Sequence, residues 1–113
     1  MVEKTDKDKR IRKETNRLNR IFEEFPQTQK DIANGLVEEV AFMRITLEDL
    51  KVEININGII DVMPQGDYSI TRESPAVKTY NTMVQRYNTV CKELFNLIPK
   101  QEFVDYDDEF ERF

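Results

Sequence analysis

Chemistry on this chain has to be sought among its charged side chains, because the groups that usually perform catalysis are missing or isolated. Histidine is absent and Cys91 is the only cysteine, so one chain can build neither a Cys/His zinc site nor a disulfide. Ser74 has no imidazole anywhere in the sequence to activate it, and its place before Pro75 accounts for it as a helix cap. The three glycines stand at 35, 58 and 66. A phosphate-binding loop or a dinucleotide fingerprint needs them close together at a helix start. Adjacent carboxylates, Glu23 with Glu24 and Glu38 with Glu39, point in different directions on a helix and read as a solvated face. The acids near the C-terminus lack the glycine and ligand spacing of a calcium loop. The expectation is a non-enzymatic chain without cofactor or metal.

Phosphate binding is the chemistry that remains. Residues 1–20 hold eight bases (Lys4, Lys7, Lys9, Arg10, Arg12, Lys13, Arg17, Arg20) against Glu3, Asp6, Asp8 and Glu14, a local +4. Residues 101–113 hold six acids (Glu102, Asp105, Asp107, Asp108, Glu109, Glu111) against Arg112, a local −5 in a chain of net charge −5. Opposite signs at the two ends point to a polyanion at one end and a basic protein partner at the other. Part of the basic charge is expected to be spent within its own helix, on pairs such as Glu14 with Arg10 or Arg17. One copy would bind duplex weakly, whereas a ring of copies repeats each weak phosphate contact at high effective concentration. Ile32-Ala33-Asn34-Gly35-Leu36 runs into a continuous apolar pattern and leaves no second turn for a helix-turn-helix.

The elements that must position these charges are mostly helical. Ile11, Leu18, Ile21, Phe22 and Phe25 form one stripe over Asp6–Phe25, stopped by Pro26. Thr28 and Asp31 resemble a capping box that opens a second helix. Its stripe, Ile32, Leu36, Val40, Met43, Leu47, Leu50 and Ile54, predicts about 28 residues up to a left-handed stop at Asn57-Gly58, with a possible bend at Gly35. Val37, Ala41 and Phe42 widen the apolar face, as a helix with neighbours on two sides requires. Ile59, Ile60, Val62 and Met63, then Pro64-Gln65-Gly66-Asp67, then Tyr68 to Thr71 read as a β-hairpin. Two strands alone are marginal, so the hairpin is expected to lie against a helix or a neighbouring subunit. Ser74-Pro75 starts a third helix carrying Val77, Tyr80, Val84, Tyr87, Cys91, Leu94 and Ile98, closed by Pro99. On this stripe Cys91 reads as a small buried thiol, and Tyr80 and Tyr87 as packing residues rather than base-stacking platforms.

The fold class is therefore mainly α: three helices, the second and third a long antiparallel pair, with a short β-hairpin between them, assembling with copies of itself. Residues 1–27 form the basic helix, 28–100 the helical hairpin with its β-hairpin and oligomerisation core, and 101–113 an acidic-aromatic tail. At 113 residues, 39% apolar and 35% charged, the chain is one domain short of core material against the roughly 45–50% apolar and ~25% charged content of globular chains. Such a chain is expected to complete its core with copies of itself. No apolar run approaches the ~20 residues that span a bilayer, and the N-terminus is charged where a signal peptide would be apolar. A soluble, cytosolic-type chain without a membrane partner is the expectation.

Ala41-Phe42-Met43, Leu47 and Leu50, then Gly58, then Glu73-Ser74-Pro75-Ala76-Val77-Lys78, Tyr80-Asn81, Leu94 and Leu97-Ile98-Pro99 follow in an order and spacing that resembles the phage terminase small subunits, over about residues 10–100. The resemblance implies a packaging adaptor, phage- or prophage-encoded and acting in the bacterial host cytoplasm. Such a protein forms a ring, recognises double-stranded viral DNA and brings it to the large terminase subunit, which supplies the ATPase and nuclease. On that reading the first helix offers Lys9, Arg10, Lys13, Arg17 and Arg20 to phosphates. Phe103, Tyr106, Phe110 and Phe113, with the acids between them, dock on a basic groove of the large subunit. The alternatives are a helical adaptor with no nucleic-acid role and a small DNA-binding transcription regulator.

Overall fold

The structure, a computed structural model, describes residues 5–98. Three helices, α1 (Asp6–Asn19), α2 (Gln27–Asn57) and α3 (Pro75–Phe95), carry a two-stranded antiparallel hairpin, β1 (Ile60–Gln65) and β2 (Tyr68–Glu73), between the second and third. The tail at 101–113, with Phe103, Tyr106, Phe110 and Phe113, lies outside the described residues.

α2 is the spine. Its 31 residues extend about 46 Å at 1.5 Å each, and α1 and α3 both pack back along it. Arg10 near the start of α1 reaches Glu48 and Asp49, while Leu18 and Phe22 join Ala33 and Val37 in the core. Tyr87 of α3 faces Arg44, and Leu94 completes the same core cluster. The antiparallel α2–α3 pair read from the sequence is thus present, with α1 as its third member.

The expected stripe is buried at Val40, Met43 and Leu47, with Val37 and Ala41 beside it as expected, but not at its start. Ala33, Val37 and Ala41, at spacings of four, are each 0% exposed, whereas Ile32 is 54% and Phe42 46% exposed. Small side chains let both neighbours approach the helix axis closely. Ile32, about 100° around the helix from Ala33, is left on the outside.

Local chemistry explains each boundary. α1 starts on a capping box: Thr5 Oγ1 accepts from the Asp8 amide at 3.1 Å, and Asp8 Oδ2 accepts from the Thr5 amide at 3.1 Å. The helix ends at Asn19 rather than running to Phe25. A 3-10 turn over Arg20–Phe22 tightens the chain so that Phe22 and Phe25 meet edge-to-face, 5.1 Å between centroids. The expected Thr28–Asp31 capping box does not form, because α2 already begins at Gln27 behind Pro26; Asp31 instead accepts from Gln27 Nε2 at 2.8 Å. Ser74 Oγ accepts from the Ala76 amide and Pro75 occupies the first helical position, as read.

The hairpin is tighter than its sequence pattern indicated. Gln65 pairs with Tyr68, leaving only Gly66 and Asp67 in the turn. A positive φ at Gly66 (64°) and none at Asp67 matches the type II′ turn that suits strand twist. Pro64 is a strand residue opposite Ser69. Pairs alternate outward from the turn between bonded and non-bonded, so Pro64 falls where no amide is needed. Asp61 and Arg72 lie directly opposite and form a cross-strand ion pair at 2.9 Å.

Gly58 ends α2 with φ 80° and ψ −177°. This is not the left-handed stop expected of Asn57-Gly58 but an extended, glycine-only conformation that sends the chain straight into β1. Asn57 remains helical. Gly35 sits on the exposed side of an unbroken helix, with open space where a β-carbon would stand. The same substitution should therefore act with opposite signs at the two sites. Gly58→Ala should cost about 1–3 kcal/mol, and Gly35→Ala should add about 0.4–1 kcal/mol. Urea midpoints of the two variants, at unchanged m-value, check both.

Candidate nucleic-acid interface

α1 sorts its charge by helical geometry. At about 100° per residue, Ile11 and Leu18 fall on one side, where they meet α2 and α3. Lys9, Arg10, Lys13 and Arg17, with Arg20 one residue past the helix, fall within an arc of about 100° on the other. All five are exposed. These are the five residues that the resemblance picked out of the eight bases in residues 1–20, and the fold brings them onto one solvent-facing surface.

Their surroundings divide them. Arg10 donates to Asp49 Oδ1 at 2.6 Å and to Glu48 Oε2 at 3.0 Å, tying α1 to α2. Arg17 makes a two-point contact with Glu14 one turn back, Nη2 to Oε2 at 3.0 Å, so of the two arginines expected to share Glu14 it is Arg17 that takes it. Lys9, Lys13 and Arg20 have no ion pair among the described residues. They are the cations most available to an incoming anion, because nothing has to be released first.

A sixth cation was missed by sequence reasoning. Arg44 of α2 borders an open groove of about 680 Å³ together with Arg10, Lys13, Arg17 and Arg20. It lies within a long apolar helix, 24 residues beyond Arg20, and only the antiparallel return of α2 sets it beside α1. Arg44 also holds Glu48 at 3.4 Å and contacts the Tyr87 hydroxyl at 3.5 Å. Burial of the phenol raises the Tyr87 pKa, opposed by the Arg44 contact. Glu14 and Glu48 are the two acids of the groove, and both are held by its arginines. Lys9 stands on the same face beyond the groove.

The residues that sequence reading set aside are ordinary here. Cys91 and Tyr80 are half-buried. Among the described residues no cluster of acids, cysteine or histidine is arranged to hold a metal ion, and no helix is long and apolar enough to cross a membrane. Comparison of the chain with protein-family models, curated proteins and solved structures gave no match.

The Arg17 hydrogen bond, with burial opposing it, holds the Glu14 carboxyl below the usual glutamate range. A lowered pKa means that this contact contributes in full above the ordinary glutamate value and is lost as the pH falls through the lowered one. Glu14→Gln should thus be less stable than the parent at neutral pH. The gap should close as both are acidified below about pH 4.3, measured by thermal unfolding across a pH series.

Proposed function

We propose that this chain is a non-enzymatic, self-assembling DNA-binding adaptor of the terminase small-subunit type, in which α1 contacts the duplex backbone and copies associate through the hairpin end of the molecule. The observation that carries the first half is the segregation of Lys9, Arg10, Lys13, Arg17 and Arg20 onto the exposed side of α1, with Arg44 alongside. A flexible row of cations fits a phosphate backbone, which supplies sequence-independent affinity and needs no preformed pocket.

The second half rests on apolar surface that no described residue covers. Val52, Ile56, Ile59, Ile60, Val62 and Ile70 are all large and exposed, Ile56 at 73%. They concentrate at the C-terminal end of α2 and on the hairpin, which projects from the helices instead of packing on them. Patches of this kind mark association surfaces. A second copy is the partner consistent with the scarcity of core in each chain. In this reading the large terminase subunit is the downstream protein partner, and the setting is the cytoplasm of a phage-infected or lysogenic bacterium.

Duplex affinity across a salt series tests the DNA contact. The triple variant Lys9→Ala, Lys13→Ala, Arg20→Ala should weaken binding and make the slope of log K against log salt shallower by roughly one per lost phosphate contact. Circular dichroism should be unchanged, since these side chains are exposed. Unaltered affinity and slope would overturn the interface and favour an adaptor without a nucleic-acid role.

Native mass tests the assembly. The parent should form one closed species of many subunits, and the paired change Ile56→Asp, Val62→Asp should reduce it to small species with unchanged helix content. A parent that is monomeric at high concentration removes the ring.

A further inference from the structure

The described chain ends beside a second surface that adjoins the basic groove. Ile98 borders a small apolar pocket of about 180 Å³ with Leu18, Ile21, Phe22, Cys91 and Leu94. Glu14 and Arg17 border both this pocket and the groove of Arg10, Lys13, Arg20 and Arg44. An apolar cavity therefore adjoins a cationic groove along α1, the two sharing Glu14 and Arg17 as their border, and the polypeptide continues from the cavity's edge. Fifteen residues follow Ile98, with Phe103, Tyr106, Phe110 and Phe113 set among six acids.

We propose that residues 101–113 occupy this composite surface on their own chain, an aromatic side chain filling the pocket beside Ile98 and the acids lying over the cations of the groove. The tail then competes with duplex for the same side chains. Three observations carry the assignment. Charge is complementary: the groove has five cations against Glu14 and Glu48, both held by its arginines, and the tail is a local −5. The order of chemistry matches, since the apolar pocket lies where the tail begins and the cations lie beyond it. Length suffices, because fifteen extended residues reach about 50 Å while α1 is about 21 Å long.

A tethered segment acts at an effective concentration in the millimolar range. Even a contact of about 0.1 mM intrinsic strength would then lower duplex affinity about tenfold. The competition rests on the proposed DNA contact; the docking does not.

Two full-length variants and two readouts separate them. A zero-length carbodiimide crosslinker, without DNA, should join Lys13 to a tail carboxylate within one chain, located by peptide mass spectrometry. Phe103→Ser with Tyr106→Ser, which leaves every charge in place, should remove that crosslink and raise duplex affinity about tenfold. Replacing Asp105, Asp107 and Asp108 by Asn should raise affinity at least as far. The crosslink without duplex binding by any variant upholds the docking and ends the DNA reading. Absence of the crosslink, or a crosslink only between two chains, with duplex affinity unmoved by the aromatic changes, overturns the docking and leaves the DNA reading intact.

Discussion

Everything in this molecule depends on two helices packing against the same short stretch of a third. Ala33, Val37 and Ala41 lie one above another along α2 and are fully buried, because residues four apart share a helix face. Their small size lets neighbours come close, while Val40 and Met43 extend the contact to the side. Phe22 and Leu18 fill the space from one direction and Leu94 from the other. With so few large side chains fully enclosed, the packing has little redundancy, and the remaining apolar residues stay on surfaces that this core cannot reach. The radius of gyration, 19.4 Å, exceeds the ~13 Å of a compact domain of this length, the shape that follows from a single spine flanked by shorter helices.

That construction decides how the charge is displayed. α1 is anchored by Leu18 and by Phe22 just past its end, while its N-terminal part is held by Arg10 on Glu48 and Asp49, all about two-fifths exposed. Exposed pairs of this kind contribute about 0–1 kcal/mol each, so beyond the packing of Ile11 the N-terminal part of α1 gains little from them. Arg10 can exchange two carboxylates for a phosphate at small net cost. Lys9, Lys13 and Arg20 need no exchange at all.

The sequence was most legible where one residue type has one structural use. Ser74-Pro75 opened α3 and Gly66 turned the hairpin, because a cap followed by a ring-locked φ, or a required positive φ, admits few alternatives. It was least legible where the answer depended on a distant partner. The expected stripe on α2 is buried at Val40, Met43 and Leu47, but it followed large aliphatic residues and so included the exposed Ile32 and passed over Ala33, which is fully buried; only the proximity of two neighbours makes alanine the core residue there. Thr5 with Asp8 capped a helix as Thr28 with Asp31 was expected to, and the difference lies in Pro26, which starts α2 one residue before Thr28. The five α1 cations were readable as a group, but Arg44 was not, since it joins them only through the chain's reversal.

The two unsatisfied surfaces occupy different parts of the spine. α1 packs along α2 from Ala33 to Asp49, and beyond it Val52 and Ile56 begin a run of exposed aliphatic side chains that continues into a hairpin whose strands both have an open edge among the described residues. Open edges and exposed β-branched side chains make an isolated hairpin prone to pairing with whatever it meets, so a partner there stabilises the molecule rather than merely decorating it. The cations border α2 at Arg44, Glu48 and Asp49, and the exposed aliphatic run of the hairpin end begins just beyond them at Val52. On the proposed reading, weak phosphate contacts would be multiplied by the number of copies instead of being strengthened one by one, while segregation of charge onto α1 gives a chain of net charge −5 a locally basic surface.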